Sequence, residues 1–152
     1  MEWVNPDLMD AQISEFLTET IVDIPDDPWS ASALDRVERE IIDRFGTVSD
    51  VAAPANHEIA DQITRFLGEV FRRKFEGRWL NVPGMGGKRY PDFGPVIGHE
   101  WIDIHLDVAN LVTAAVDRQW GDYLSEIFTR NAHGYAEWVK AGRPPMAEWV
   151  EN

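Results

Sequence analysis

Apolar residues recur at intervals of three and four in five stretches of the chain, which predicts five amphipathic helices. In the first stretch, Asn5 and Pro6 suit the cap and the first position of a helix. Met9, Ile13 and Phe16 follow on one side, and acidic residues occupy the other. The first helix therefore has one face for a core and one charged face.

Two more helices are predicted in the N-terminal half. After the break IPDDP, Ser32 and Asp35 have the spacing of a capping box, and the apolar stripe runs to Gly46, which ends the helix. A linker of small residues, TVSDVAAPAN, then leads to a third helix over about 57–75. In this third helix we expect Glu69 to be an exposed partner for the arginines one turn away.

The middle of the chain changes to β character. RWLNV and PVIG predict two strands, and WIDI predicts a third short one. Between the first two lies PGMGGKRYPDFG, which contains four glycines and two prolines. Residues 83–94 are therefore expected to form a loop that is longer than a tight hairpin needs.

The periodicity does not decide where strand gives way to helix between Trp101 and Val108, since the apolar residues fit both spacings. Because LDVANLVTAAVDRQ is long and contains alanines, we place a helix over about 105–118, with Asp103 close enough to cap its start. A final helix is expected over about 122–141.

The predicted order is three helices, a small antiparallel sheet of two or three strands, and two helices, which defines an α+β fold. With 44% hydrophobic residues, the 152 residues suffice for a core, and we expect one domain over 1–152. It divides into an acidic helical pair (1–46), an α-β-β-α-α core (57–141) and a C-terminal tail (142–152). Trp149 of the tail is expected to pack back onto the domain.

Charge is distributed unevenly along the chain. The net charge is −13, and the first 61 residues contain fifteen acidic and three basic side chains. Residues 65–89 contain seven basic and two acidic side chains. Either both regions are solvated helix faces that partly neutralise each other, or the acidic region is a surface for a basic partner. An acidic chain argues against binding to nucleic acid or to an anionic membrane.

The absence of cysteine excludes disulfides, thiolate metal ligands and a cysteine nucleophile. No apolar run approaches the ~18 residues of a membrane span. The start MEWVNPDLMD is acidic, whereas a signal peptide is basic and then apolar. We therefore expect a cytoplasmic protein.

The stretch FLGEVFRRKFEGRWL resembles a segment of uncharacterised families of small bacterial α+β proteins, which are grouped as domains of unknown function. The resemblance extends over about 57–118. It implies the order of the elements and carries no activity, and the glycine-rich insertion at 83–94 departs from the compact hairpin that it implies.

GHEWIDIH is the clearest candidate for chemistry. Zinc peptidases place two histidines one helical turn apart, with a glutamate between them as general base. Here Asp103 holds the second position, so the candidate metal ligands are His99, Asp103 and His105, and Glu100 is the candidate catalytic base. The preceding glycine and the hairpin context favour a polar turn without metal instead.

GMGGKR has the composition of a phosphate-binding loop but not its pattern. Val82 stands at the first glycine, Arg89 replaces the serine or threonine, and Pro91 prevents the helix that should follow. We therefore expect a flexible loop. Its candidate residues are Gly84, Gly86, Gly87, Lys88 and Arg89.

We expect a protein-binding, regulatory or neutralising domain without catalysis or cofactor, and one version of this hypothesis is an immunity-type protein that masks a basic partner. Seven tryptophans exceed what one small core needs, and aromatic residues often serve interfaces. The alternative is a metal-dependent hydrolase with its site in GHEWIDIH. A homodimer is also open, because acidic and basic regions coexist in one chain. The candidate protein-binding residues are Asp7, Asp10, Glu15, Glu19, Trp3 and Trp29.

Overall fold

The computed structural model describes residues 2–150. Its α-helices are α1 (Pro6–Glu15), α2 (Ala31–Arg44), α3 (Val48–Val51), α4 (His57–Lys74), α5 (Val108–Arg118), α6 (Tyr123–Lys140) and α7 (Met146–Val150). Its strands are β1 (Arg78–Asn81), β2 (Pro95–His99) and β3 (Ile102–Asp107), which form one antiparallel sheet in the order β1-β2-β3. The predicted α+β fold and its order of elements are confirmed, and α3 and α7 are short additions. Among the described residues, no helix is long and apolar enough to cross a bilayer.

Helix α4 is the centre of the molecule. Every residue from Gln62 to Phe71 is buried, so the helix is enclosed on all sides. Helices α1 and α5, strands β1 and β2, and the π-helical turn Phe16–Thr20 after α1 all pack against it. Its apolar side chains join one core cluster with those of α1, α2, α5 and α6. This enclosure means that the polar residues of α4 need partners inside the fold.

The two glycines of FLGEVFRRKFEGRWL, Gly68 and Gly77, leave room for large side chains of the sheet to pack against α4. A Cβ on Gly68 would lie 2.0 Å from the indole of Trp79, and a Cβ on Gly77 would lie 2.6 Å from Ile97. Real Cβ atoms do not approach other atoms so closely. Glycine at both positions therefore allows β1 and β2 to pack against the helix.

The expectation that Glu69 is exposed was wrong. Its side chain is 3% exposed, and its carboxylate accepts hydrogen bonds from Arg72, Arg73 and the Trp79 indole. These hydrogen bonds outweigh the effect of burial and hold the pKa of Glu69 below its usual value. Helical spacing correctly indicated the arginine partners, but the strand that covers the carboxylate is a tertiary feature.

Two helix starts differ from the expectation. Helix α2 is capped by Ser30, whose hydroxyl accepts from the Ala33 amide, so the pair Ser32 and Asp35 is not its capping box. A capping box does occur at Thr47 and Asp50, inside the segment that was expected to be a linker, and it starts α3. Serine at both ends of SAS leaves two possible caps, which the spacing alone does not separate.

The strand-to-helix boundary lies after Asp107, so the helix begins about three residues later than expected. The Asp107 carboxylate caps α5 by accepting from the Asn110 amide, whereas Asp103 lies within β3. Pairing with β2 extends β3 as far as Asp107, opposite Val96, and His105 is therefore a strand residue.

The C-terminal segment is partly helical, because α7 follows the Pro144-Pro145 break. The Trp149 indole donates to the Trp101 carbonyl at 3.0 Å, so the expectation that Trp149 packs back is confirmed. The Trp138 indole of α6 donates to the Pro144 carbonyl at 2.9 Å, and this hydrogen bond fixes the segment between α6 and α7.

Glu38 joins α2 to α6. This fully buried carboxylate accepts from the backbone amides of Tyr123 at 3.1 Å and Leu124 at 2.7 Å, and so caps α6 from another helix. Burial raises the pKa of Glu38, and the two amides work in the opposite direction. The acid is needed here because each of its oxygens satisfies one unpaired N–H group.

We expect Glu38→Gln to lower the free energy of unfolding by about 1–3 kcal/mol, since the amide NH₂ would face a backbone N–H and leave a buried donor unpaired. Urea unfolding measures the change. Asp43→Asn is the control, because Asp43 lies exposed on the same helix, and it should cost less than about 0.5 kcal/mol. Equal losses in the two variants would contradict the capping role.

Candidate functional site

The stretch GHEWIDIH forms a hairpin, as its glycine and its context favoured. Glu100 and Trp101 make the turn between β2 and β3. His99 is buried, whereas Asp103 and His105 are exposed on β3. Glu100 lies 3.4 Å from Arg78 in an exposed ion pair. Within residues 2–150, no three histidine, aspartate or glutamate side chains come together as metal ligands.

His99 lies in an apolar environment on the buried strand. Its ring centroid is 4.8 Å from that of Trp101, and its Nε2 atom has no hydrogen-bond partner in the described part of the chain. Burial lowers the pKa of His99, and a hydrogen bond to the backbone of Phe71 opposes this effect only in part. The histidine is therefore neutral near neutral pH, and its role is in packing.

The end of the glycine-rich loop is anchored to α4 rather than free. The Tyr90 hydroxyl donates to the Asp61 carboxylate at 2.5 Å. The Arg89 guanidinium donates to the carbonyl of Ala60 and to the hydroxyl of Thr64, and also to the carbonyl of Ala109 on α5. The expectation of a flexible loop therefore does not hold for this end of it.

A cavity of about 670 Å³ opens between this loop, α3 and the start of α5. It is lined by residues from 48–53, 84–89 and 107–113. All five loop residues that the sequence singled out, 84 and 86–89, lie in its wall. Its volume falls within the ~300–1,000 Å³ that is typical of small-molecule sites.

Two basic side chains of this wall have no acidic partner. Neither Lys88 nor Arg89 has a carboxylate within 4.0 Å among residues 2–150, although nine of the other twelve basic side chains do. Burial lowers the pKa of Arg89, and burial raises the pKa of Asp107, the acidic residue in the wall. Asp107 is occupied by capping α5.

The N-terminal segment presents a surface of unpaired carboxylates. Its members, which we call the acidic surface, are Asp7, Glu15, Glu19, Asp23 and Asp26. No basic side chain of residues 2–150 lies within ion-pair distance of any of them. On α1 they face away from the buried side chains of Met9 and Ile13. Two exposed apolar residues are adjacent to them in sequence, Leu8 at 41% and Val22 at 66% exposure.

The basic side chains at the end of α4 form ion pairs with acidic side chains of the same chain. Arg72 pairs with Glu69, Arg73 pairs with Glu69 and Asp10, and Lys74 pairs with Asp27. Asp10 is therefore the one candidate binding acid on α1 that already has an internal partner. The interpretation that acidic and basic regions neutralise each other holds for Arg73 with Asp10 and for Lys74 with Asp27, but it leaves the acidic surface unpaired.

Trp3 and Trp29 make their contacts within the fold. The Trp3 indole donates to Asp61 at 2.8 Å and lies beneath the Arg65 guanidinium. Trp29 stacks on Phe66 and has the Arg73 guanidinium 4.2 Å from its ring centre. Both are half-buried against the core, so the contact area expected of them already serves the fold.

Comparison with protein-family models, with curated protein sequences and with solved structures finds no match to this chain. The resemblance to uncharacterised bacterial families around FLGEVFRRKFEGRWL therefore stays a prediction.

The sequence pointed to the loop but not to the cavity. The walls from α3 and α5 come from segments about 35 residues before the loop and 20 residues after it, and no local pattern joins them. The buried carboxylate of Glu38 was also missed, since no helical stripe marks an acid that caps another helix. Only the apolar neighbours of Glu38 at helical spacing, Leu34 and Ile41, hint that it faces the core.

We expect the free energy of unfolding of the wild-type protein to fall as the pH drops below about 6.5. In this range His99 becomes protonated in the unfolded chain but stays neutral in the folded protein. The loss continues down to the lowered folded pKa, at up to about 1.4 kcal/mol per pH unit. His99→Gln should flatten the dependence of the free energy of unfolding between pH 7 and pH 5, as measured in urea.

His105→Gln is the matched control, because His105 is exposed on the neighbouring strand. It should keep the wild-type slope. A wild-type slope in His99→Gln would contradict the assignment to His99.

Proposed function

We propose that this chain binds a basic protein partner through its acidic surface, as a regulatory or neutralising domain of the immunity type. The observation that carries the proposal is that the acidic surface remains unpaired, while the basic side chains at the end of α4 are already used in internal ion pairs. An uncompensated patch of one sign attracts a partner of the other sign and speeds its encounter.

The apolar component of this interface is assigned to Leu8 and Val22. They are among the few large apolar side chains that the described part of the chain exposes, and each is adjacent in sequence to a member of the acidic surface, Leu8 to Asp7 and Val22 to Asp23. Interfaces combine an apolar centre with a polar rim. These two side chains take the place that Trp3 and Trp29 were expected to fill.

The proposal leaves catalysis out, because the hairpin does not bring the histidines and acids of GHEWIDIH together. A binding role needs only the exposed carboxylates and the neighbouring apolar side chains. The proposed partner is defined by its chemistry: it is a protein with a basic surface that also exposes apolar side chains.

The test replaces the carboxylates of α1 and its π-helical turn with Asp7→Asn, Glu15→Gln and Glu19→Gln together. Protein captured from a lysate of the expressing cells is identified by mass spectrometry, and its association rate with the purified chain is measured at about 50 mM and about 300 mM salt. We expect the triple variant to slow association about tenfold or more at low salt, and added salt to slow the wild type.

The control triple is Asp103→Asn, Asp117→Asn and Glu137→Gln, which removes the same charge from exposed sites elsewhere. It should stay within about twofold of the wild type, since steering acts through the local patch. Equal effects of the two triples, or association that is indifferent to salt, would exclude the proposal.

A further inference from the structure

The cavity beside the glycine-rich loop is separate from the acidic surface and has the opposite charge. Its wall contains two basic side chains, Lys88 and Arg89, and one acidic side chain, Asp107. The chain as a whole carries −13. The wall therefore carries a net positive charge on a chain that is acidic as a whole.

Arg89 has donors to spare. A guanidinium has five N–H donors. Two at Nη1 reach Ala60 and Thr64, and one at Nη2 reaches Ala109. The N–H of Nε and the second N–H of Nη2 have no acceptor among residues 2–150. Arg89 lines the cavity and is held in place from α4 and α5, so it is a fixed basic group of the wall with unused donors, and arginine donors are well suited to a carboxylate or phosphate.

Lys88 adds a second positive charge to the wall of the cavity. Its side chain is exposed and makes no ion pair within the described residues. Lysine binds anions as a point charge, while arginine orients them. The two residues together provide what an anionic group needs.

Part of the wall is apolar. It comes from Val48, Val51 and Ala52 of α3 and the turn that follows it, and from Met85 of the loop. Val48 is 42% exposed although it is a large apolar side chain. A ligand with an apolar body would cover it and gain from removing that surface from water.

We propose that this cavity binds a small organic anion, whose carboxylate or phosphate group is held by Lys88 and Arg89 and whose apolar body packs against Val48 and Met85. The start of α5 is not the anion site, because the Asp107 carboxylate occupies it by accepting from the Asn110 amide at 3.3 Å. Gly84 and Gly87 of the wall are at positive φ, and nothing lies within 4 Å of the position that a Cβ would take there.

The test follows the backbone amide signals of Gly84, Gly86 and Gly87 by NMR during titration with benzoate, phenyl phosphate, benzamide and inorganic phosphate. We expect saturable shifts with at least one of the two aromatic anions. Benzamide lacks the charge and inorganic phosphate lacks the apolar body, so both should bind about tenfold more weakly or not at all. The tighter of the two aromatic anions identifies the head group as carboxylate or phosphate.

Lys88→Gln should weaken binding of that anion about tenfold. Lys140→Gln is the control, because Lys140 is exposed on α6, lacks an ion pair in the described region, and lies outside the cavity. Arg89 is left unchanged because it also joins the loop to α4 and α5. Ala52→Phe, which enlarges a side chain of the apolar wall, gives a second and independent loss.

The proposal is overturned if neither aromatic anion gives saturable shifts, if benzamide binds as tightly as benzoate, or if Lys88→Gln and Lys140→Gln have the same effect. Signals outside the cavity report whether each variant keeps the wild-type fold. A failed binding test here leaves the proposed protein interface untouched, since the acidic surface contributes no residue to the cavity.

Discussion

The burial of α4 is the constraint on which the rest of the structure depends. This helix is enclosed from Gln62 to Phe71, yet it carries polar and charged side chains among its apolar ones. Buried polar groups must be hydrogen-bonded, and the partners come from distant parts of the chain. The Glu69 carboxylate accepts a hydrogen bond from the Trp79 indole of β1. The Asp61 carboxylate accepts hydrogen bonds from the Trp3 indole and from the Tyr90 hydroxyl. Each of these bonds fixes the position of a different segment against the helix, and the one through Tyr90, together with Arg89, fixes the loop that forms the cavity. The shape of the candidate site is therefore a consequence of the hydrogen bonds that the polar side chains of α4 require.

The helices and strands were largely predictable because their signals are local. Apolar spacing and the Asn5-Pro6 start indicated α1, and the glycine-rich composition of 83–94 indicated a loop. The errors occur where two local signals compete. Asp103 and Asp107 are both acids near a helix start, and only the pairing of Val96 with Asp107 in the sheet decides that the strand continues to the second. Ser30 and Ser32 present the same ambiguity for α2. In both cases the choice depends on tertiary contacts that a periodic pattern does not contain.

The candidate site was predictable only in part, for a related reason. Composition pointed to Lys88 and Arg89, since a lysine and an arginine after three glycines are conspicuous. It did not indicate that Arg89 is held by three oxygens of α4 and α5, or that α3 contributes to the wall. The reverse happened with GHEWIDIH, where ligand-type residues are close in sequence but β geometry separates them. His99 points into the core while Asp103 and His105 are exposed. Proximity along the chain is a weak guide to a site unless the backbone geometry is also known.

The distribution of charge connects the two proposals without making them one. Unpaired carboxylates lie on α1 and the segment that follows it, and unpaired cations lie between α3, the glycine-rich loop and α5. The proposed basic partner is attracted to the first region, so the same field that speeds its approach also orients it towards the acidic surface. A small anion experiences the opposite balance: the overall charge repels it, and only the short-range donors of Lys88 and Arg89 offset that repulsion. Salt therefore weakens the long-range attraction of the basic partner, while for the anion it screens the repulsion and the local attraction together. The two sites are accordingly distinguished by their dependence on ionic strength as well as by their residues.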